Sequence, residues 1–211
     1  MSRISHKYKF IFFAYPKTGS TSIRDTLNTF SDICATTFSK RTPEQPFYSH
    51  ITAQETKDLF AERGWDFDSY FKFVVVRNPY SRLVSLYNMT DVNKCSFPHW
   101  VENINSNAKT DKVLSIGKWK INGLLPLLQF AGNGTNLLVD KVVCLENIDT
   151  ELPAIFKQLG ITVPASIPKL NVGHYRVPVK LNDWHKYYDE TTKQRVKKIY
   201  KWEIVEYRYI F

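Results

Sequence analysis

The sequence has few cysteines and no long apolar stretch. Its 211 residues contain three cysteines, Cys34, Cys95 and Cys144, and no CxxC pair. This usage argues against a disulfide framework or a zinc site, and we expect reduced, mostly buried thiols. The apolar run near the N-terminus ends after about half a dozen residues, well short of a signal peptide or a membrane span. The sequence therefore predicts a cytoplasmic protein without a membrane span.

Acidic residues are scarce relative to basic ones. The chain has 29 Lys and Arg against 20 Asp and Glu, which gives a formal net charge of +9. Such an excess attracts a polyanionic cofactor, an acidic glycan, a nucleic acid or an anionic membrane, and charge alone does not choose among them. Because 43% of the residues are hydrophobic, the chain can form a substantial core, and we expect one domain over residues 1–211.

Two segments share the pattern of an apolar strand followed by a turn and a helix. In the first, a strand over residues 8–15 leads into PKTGSTS and a helix from about residue 20 to 30. In the second, FKFVVV at residues 71–76 leads into RNP, which suits an N-cap and the first helical position. A third apolar strand ends near Glu146. Strands that are apolar on both faces predict an α/β fold with a P-loop-like central parallel sheet flanked by helices.

The helical signals elsewhere are uneven. Thr52 and Glu55 have the spacing of a capping box, which predicts a helix that begins just after His50. Residues 96–134 give no clear period apart from a helix at FPHWVENIN. The segment ELPAIFKQLG and a segment from about Asp189 onward predict two further helices.

The turn PKTGSTS, residues 16–22, has the composition of an anion-binding loop. Backbone N–H groups at a helix start, together with a lysine and several hydroxyls, can hold a phosphate or sulfate group. The turn is not a Walker A loop, because GxxxxGK[ST] places the lysine after the glycines, whereas Lys17 precedes Gly19.

This order resembles the 5′-phosphosulfate loop of the sulfotransferases that use 3′-phosphoadenosine 5′-phosphosulfate (PAPS). Those enzymes carry a second signature for the 3′-phosphate, an arginine that ends a strand and a serine eight positions later, and Arg77 and Ser85 match it. The segments FKFVVVRNPYSRLVSLY and VVCLENI look most similar to the carbohydrate branch, sulfotransferase family 2. The resemblance implies transfer of a sulfuryl group from PAPS to a hydroxyl, with a glycan as the expected acceptor.

The resemblance also implies the residues that bind PAPS. Sulfuryl transfer is an in-line displacement, so negative charge on the departing phosphate must be stabilised, and Lys17 is placed for that. We expect no metal, since a sulfuryl group carries less charge than a γ-phosphate. Arg82 either adds charge near the nucleotide or is a solvated helix arginine. The predicted cofactor-binding residues are Lys17, Thr18, Gly19, Ser20, Thr21, Ser22, Arg77 and Ser85.

His50 is the candidate general base. An ordinary histidine pKa near 6.5 suits proton transfer at neutral pH. His50 precedes a well-capped helix, and it lies between the two nucleotide signatures, where related glycan sulfotransferases carry a catalytic His or Glu. Glu55, His174 and His185 are the alternative bases, and a hydrogen-bonded His50 without a catalytic role stays open.

The acceptor side of the protein is less defined by its sequence. Residues 88–135 are a possible acceptor-side insertion. Arg176 and Lys180 lie in a basic loop, and they could contact an acidic acceptor or the 3′-phosphate of PAPS.

Two other functional classes remain open at this point. A P-loop kinase or NTPase would share the phosphate loop, but the chain lacks GK[ST] and an obvious strand that ends in a magnesium-binding aspartate. A basic nucleic-acid-binding protein would explain the net charge, but no recognisable binding motif accompanies it, and we expect no nucleic acid partner.

Overall fold

The structure is a computed structural model that describes residues 2–90, 95–104, 118–162 and 181–211. Within these ranges the strands are β1 at Arg3–Ser5, β2 at Phe10–Phe13, β3 at Ile33–Cys34, β4 at Phe71–Val76 and β5 at Lys141–Cys144. The helices are α1 at Ser20–Leu27, α2 at Ala53–Glu62, α3 at Pro79–Thr90, α4 at Phe97–Glu102, α5 at Lys118–Leu124, α6 at Leu127–Phe130, α7 at Ile148–Gln158, α8 at Glu190–Ile199 and α9 at Lys201–Glu206.

The strands form one mixed sheet in the order β3-β1-β2-β4-β5. β2, β4 and β5 are parallel, and Phe12 pairs with Phe73 in their ladder. β1 lies antiparallel to both β2 and β3. The predicted α/β class is confirmed, but the sheet is not parallel throughout. Residues 6–9, which join β1 to β2, are too few for the crossover that parallel neighbours require.

Helices cover both faces of the parallel strands. Alternate strand residues point to opposite faces, so Phe12 and Val75 pack in a buried cluster with residues of α1 and α7. Phe13 and Val76 pack in a second cluster with residues of α2 and α6. Burying one such side chain contributes roughly 1.5–3 kcal/mol, which explains why β2 and β4 are apolar on both faces.

Most element boundaries follow from local capping. Thr52 and Glu55 form the predicted capping box at the start of α2. α3 begins at Pro79, and the side-chain oxygen of Asn78 accepts a hydrogen bond from the N–H of Tyr80 over 3.0 Å. α1 ends at Leu27, earlier than predicted, because the next three residues tighten into a 3₁₀ turn. The predicted C-terminal helix is divided into α8 and α9.

The expectation of mostly buried thiols is wrong. Cys34 is exposed because it lies in the short edge strand β3, and Cys95 and Cys144 are half-buried. All three are free thiols. In the part of the chain that the structure describes, no helix combines the length and apolar character that a membrane crossing requires.

Candidate active site

The candidate site lies at the carboxyl ends of the three parallel strands. β2 leads into a loop of residues 14–19 and then α1, β4 leads into Arg77 and α3, and β5 leads into Glu146 and α7. In an open α/β sheet, ligands bind outside this edge, where helix N-termini present their N–H groups. The sequence-predicted cofactor residues lie on the first two of these connections or on the helices that follow them.

The loop of residues 14–19, called here the β2–α1 loop, contains a turn that requires glycine. Gly19 has a φ of 74°, and a Cβ atom at this position would lie 3.0 Å from Leu145 Cδ1. Thr18 Oγ1 donates to the carbonyl oxygen of Tyr15 over 2.9 Å and closes the loop. Gly19 caps α1 without a side-chain hydrogen bond, so the helix start presents backbone N–H groups, as an anion site requires.

Three predicted hydroxyl residues form the first turn of α1. Ser20 is buried, whereas Thr21 and Ser22 are half-buried. The backbone N–H of Ser22 bonds to the carbonyl of Gly19 over 3.3 Å, which is the first turn of the helix. The three residues therefore lie at the helix N-terminus, and their role in binding a cofactor stays a prediction.

Lys17 lies in the β2–α1 loop, and Arg77, just after β4, contacts its backbone. Arg77 Nη1 donates to the carbonyl oxygen of Lys17 over 3.4 Å. Burial, together with the positive charge of Arg77, lowers the pKa of Lys17 to about 8. Lys17 Nζ lies 3.3 Å from the sulfur of Met89 on α3. Two cationic groups held together at a helix start form a site that suits an anion with more than one charge.

Ser81 orients Arg77 and was missed by the sequence analysis. Arg77 Nε donates to Ser81 Oγ over 2.9 Å, and Ser81 Oγ donates to the carbonyl oxygen of Asn78 over 3.1 Å. Ser85 is buried on the same face of α3, one turn beyond Ser81. The signal that could have identified Ser81 is its spacing of four residues from both Arg77 and Ser85.

His50 is fixed beside the β2–α1 loop. Its Nδ1 donates to the carbonyl oxygen of Ala14, and its own carbonyl accepts from Asn122 Nδ2 over 2.8 Å. Burial is the main cause that lowers the pKa of His50 to about 3, and the positive charges of Arg24 and Lys17 act in the same direction. The ring is therefore neutral at physiological pH, with a proton on Nδ1 and the basic lone pair on Nε2.

Comparison with known proteins identifies the family. A family model of the sulfotransferase family matches residues 1–210. The chain belongs to sulfotransferase family 2. Neither the curated proteins nor the solved structures contain a significant match to it. Family membership supports sulfotransferase activity for this chain and agrees with the resemblance found in its sequence.

The other predicted bases of this sulfotransferase are less well placed than His50. Glu55 accepts a hydrogen bond from the Tyr48 hydroxyl over 2.6 Å and pairs with Lys118 at 3.1 Å. Although burial alone would raise the pKa of Glu55, bonds from Tyr48 and Thr52 and the charge of Lys118 lower it. The carboxylate is therefore already engaged by the capping box, by Tyr48 and by Lys118. His185 stacks on a tryptophan in the short helix before α8.

Arg82 differs from both expectations of the sequence analysis. It is fully buried rather than solvated, and its Nη1 donates to the carbonyl oxygen of Gly123 over 2.6 Å. It lies 3.8 Å from Glu203 on α9. The guanidinium therefore belongs to the interior of the sulfotransferase, because an ion-pair partner and a carbonyl acceptor are both available there.

Three predicted residues, His174, Arg176 and Lys180, lie outside the described residues. The possible insertion at 88–135 is described only in part, as α4, α5, α6 and the end of α3. Within residues 2–90, 95–104, 118–162 and 181–211, no group of three or more His, Cys, Asp or Glu side chains could hold a metal ion.

Proposed function

We propose that the protein transfers a sulfuryl group from PAPS to an acceptor hydroxyl, with a glycan as the acceptor, by in-line displacement. The observation that carries this proposal is the convergence of Lys17 and Arg77 on the start of α1, beside a neutral His50. This arrangement supplies an anion site and a base at the same edge of the sheet. PAPS would supply the sulfuryl group and the leaving phosphate.

The β2–α1 loop would hold the 5′-phosphosulfate. Backbone N–H groups at residues 18–21 and the hydroxyls of the first turn of α1 offer donors, while Lys17 adds positive charge. Its lowered pKa reflects burial and repulsion from Arg77, both of which a bound anion would offset. Lys17 then stabilises the negative charge that develops on the 5′-phosphate as the bond from sulfur to the phosphate oxygen breaks.

Arg77 and Ser85 would bind the 3′-phosphate. Ser81 holds the Arg77 guanidinium through Nε, which leaves the planar group oriented toward the β2–α1 loop. An arginine held in this way can bind phosphate with charge-assisted hydrogen bonds. This pairing distinguishes PAPS from a nucleotide that lacks the 3′-phosphate.

His50 would accept the proton of the acceptor hydroxyl through Nε2. The hydrogen bond from Nδ1 to Ala14 fixes the tautomer and the ring orientation. A pKa of about 3 makes the free imidazole a weak base, but a bound polyanion raises the pKa of a nearby histidine. The proton therefore moves to a base that becomes stronger when PAPS is present.

The acceptor would be an acidic glycan, attracted by the net charge of +9. Arg176 and Lys180 are proposed acceptor contacts on the sequence argument alone. No metal takes part in this mechanism, since Lys17, Arg77 and the start of α1 supply the positive field.

A panel of glycans and small hydroxyl compounds, incubated with sulfur-labelled PAPS, tests the proposal directly. We expect transfer to at least one glycan without added metal, and binding of adenosine 3′,5′-bisphosphate in preference to ATP with magnesium. Transfer only to apolar phenols would overturn the glycan assignment. Retention of ATP with magnesium and no retention of the bisphosphate would overturn the PAPS assignment in favour of a kinase or NTPase.

A further inference from the structure

Residues 122–125, at the end of α5 and just before α6, contact both His50 and the β2–α1 loop. Asn122 is 1% exposed, and its Nδ2 donates to the carbonyl oxygen of His50 over 2.8 Å. The same nitrogen lies 3.4 Å from the hydroxyl of Tyr48, which in turn bonds to Glu55 on α2. The backbone of His50 is therefore held by a side chain 72 positions away in the sequence.

Gly123 packs against the β2–α1 loop. A Cβ atom at Gly123 would lie 3.1 Å from Pro16 Cβ and 3.3 Å from Leu86 Cδ2, closer than side chains normally approach. The lack of a side chain therefore lets α5 come close to Pro16, the residue before Lys17. Gly123 sets how closely the loop packs against α5 and α3.

The next two residues accept hydrogen bonds from two tyrosines, one of which lies in the β2–α1 loop. The hydroxyl of Tyr200 donates to the carbonyl oxygen of Leu124 over 2.7 Å, and the hydroxyl of Tyr15 donates to that of Leu125. The carbonyl of Tyr15 is the group that accepts the hydrogen bond from Thr18. The contact with residues 122–125 therefore reaches the turn that carries the predicted phosphosulfate donors.

Arg82, on α3, stabilises the position of residues 122–125. Its buried guanidinium donates to the carbonyl oxygen of Gly123 and lies 4.2 Å from the centre of the Tyr15 ring. Glu203 pairs with it at 3.8 Å from α9. Burial raises the pKa of Glu203 to about 7, and the pair is not hydrogen-bonded, so the bond to Gly123 is the contact that ties Arg82 to this segment. Because a buried guanidinium without an acceptor is strongly unfavourable, this bond opposes displacement of Arg82 and of the segment it contacts.

Backbone strain explains why the centre needs such support. His50 and Lys17 have φ angles of 61° and 69°, in the left-handed region that non-glycine residues rarely adopt. Strained residues persist only where the surrounding structure holds them. Residues 122–125 contact His50 directly, and they contact Pro16 immediately before Lys17.

We propose that residues 122–125 set the position of His50 relative to Lys17. Asn122 and Gly123 are the positioning residues, and neither has to touch a substrate. The inference rests on the proposed function, in which His50 is the base and Lys17 stabilises the leaving group. A displacement of about 1 Å in a reacting group can cost on the order of a hundredfold in rate.

The test compares Asn122→Leu with Asn88→Leu. Both asparagines are buried and both donate to a backbone carbonyl, but Asn88 bonds to Val84 within α3 and accepts from Tyr187. Leucine has the same number and branching of side-chain heavy atoms as asparagine and removes the donor, and its greater bulk is common to both variants. We expect the two variants to lose similar thermal stability, while Asn122→Leu lowers kcat about tenfold further and leaves the Kd of adenosine 3′,5′-bisphosphate within about twofold.

Gly123→Ala tests the opposite side of the same segment. The added methyl group must displace Pro16, so we expect the Kd of adenosine 3′,5′-bisphosphate to rise about threefold or more, measured by calorimetry. The two substitutions should therefore change different quantities: Asn122→Leu lowers kcat, whereas Gly123→Ala weakens nucleotide binding. Equal bisphosphate affinity in Gly123→Ala and the parent protein would remove Gly123 from the inference.

A second readout does not depend on activity. The Nδ1–H proton of His50, assigned by its loss in His50→Asn, should shift in the NMR spectrum of Asn122→Leu and stay in place in Asn88→Leu. Matching kcat values and unshifted His50 signals in both variants would overturn the inference. If the parent protein neither transfers sulfate nor binds the bisphosphate, but Asn122→Leu still shifts the His50 signal, the proposed function fails and the positioning role survives.

Discussion

The β2–α1 loop and residues 122–125 both contact the proposed centre, but they differ in how their roles are encoded. The loop and the first turn of α1 act through backbone N–H groups, a lysine and hydroxyls, all within the seven consecutive residues 16–22. Residues 122–125 act through partners that are 41 to 110 positions away, including Arg82, His50 and Tyr15. The residues that carry out the chemistry can therefore be neighbours in the sequence, while the residues that hold them in position are distant from them.

The strongest test of this comparison is His50→Asn, because His50 is where the two regions meet. Asparagine tolerates the left-handed backbone and can still donate to Ala14, but it lacks the basic Nε2. We expect kcat to fall by on the order of a thousandfold with nearly unchanged bisphosphate affinity. Full activity would show that this histidine only supports the loop, and the role of base would pass to another residue.

Lys17→Met removes the charge of the loop and keeps the length of the side chain. We expect kcat to fall by on the order of a hundredfold, because negative charge on the leaving phosphate loses its nearest cation. Lys57→Met is the matched control, since Lys57 is a surface lysine on α2 that pairs with Asp68 at 3.8 Å. Equal turnover in the two variants, measured at saturating PAPS, would exclude Lys17 from the mechanism.

What can be predicted from the sequence depends on the same difference between local and distant contacts. β4 was predicted with its observed ends, and the capping box of α2 was predicted residue by residue, because each depends on neighbours in the sequence. β1 and β3 span three and two residues, too few for a pattern, so the antiparallel edge of the sheet was missed. Arg82 was misread because its partners, Gly123 and Glu203, are distant in the chain.

Arg77→Ala tests whether the second signature recognises the 3′-phosphate. We expect the Kd of adenosine 3′,5′-bisphosphate to rise about tenfold or more, because charge-assisted bonds are lost, while the Kd of AMP changes much less. Arg63→Ala is the control, since Arg63 also donates to a backbone carbonyl but lies at the end of α2. If both nucleotides lose affinity equally, Arg77 supports only the β2–α1 loop.

The smallest expected effect is the pH dependence of bisphosphate binding. Lys17 has a pKa of about 8 in the free protein, and a bound anion raises it, so the bound state holds a proton that the free state loses. We therefore expect Kd to change little around pH 7, to be about twofold higher at pH 8 and to rise above pH 8 by at most about tenfold per pH unit. The phosphates themselves are fully ionised in this range, since their second pKa is about 6.

Variants of the β2–α1 loop and of residues 122–125 should differ in the pH dependence of their bisphosphate binding. Lys17→Met should abolish the rise in Kd above pH 8, and Asn122→Leu should leave it unchanged because it acts on His50. In Gly123→Ala, Pro16 must give way by a few tenths of an ångström, and we expect this to reduce the burial of Lys17 and to move the onset upward toward 10.5, the ordinary lysine pKa. An onset that stays near pH 8 in Gly123→Ala, measured by calorimetry, would show that residues 122–125 do not control the environment of Lys17. Their influence on the proposed centre would then be limited to the position of His50.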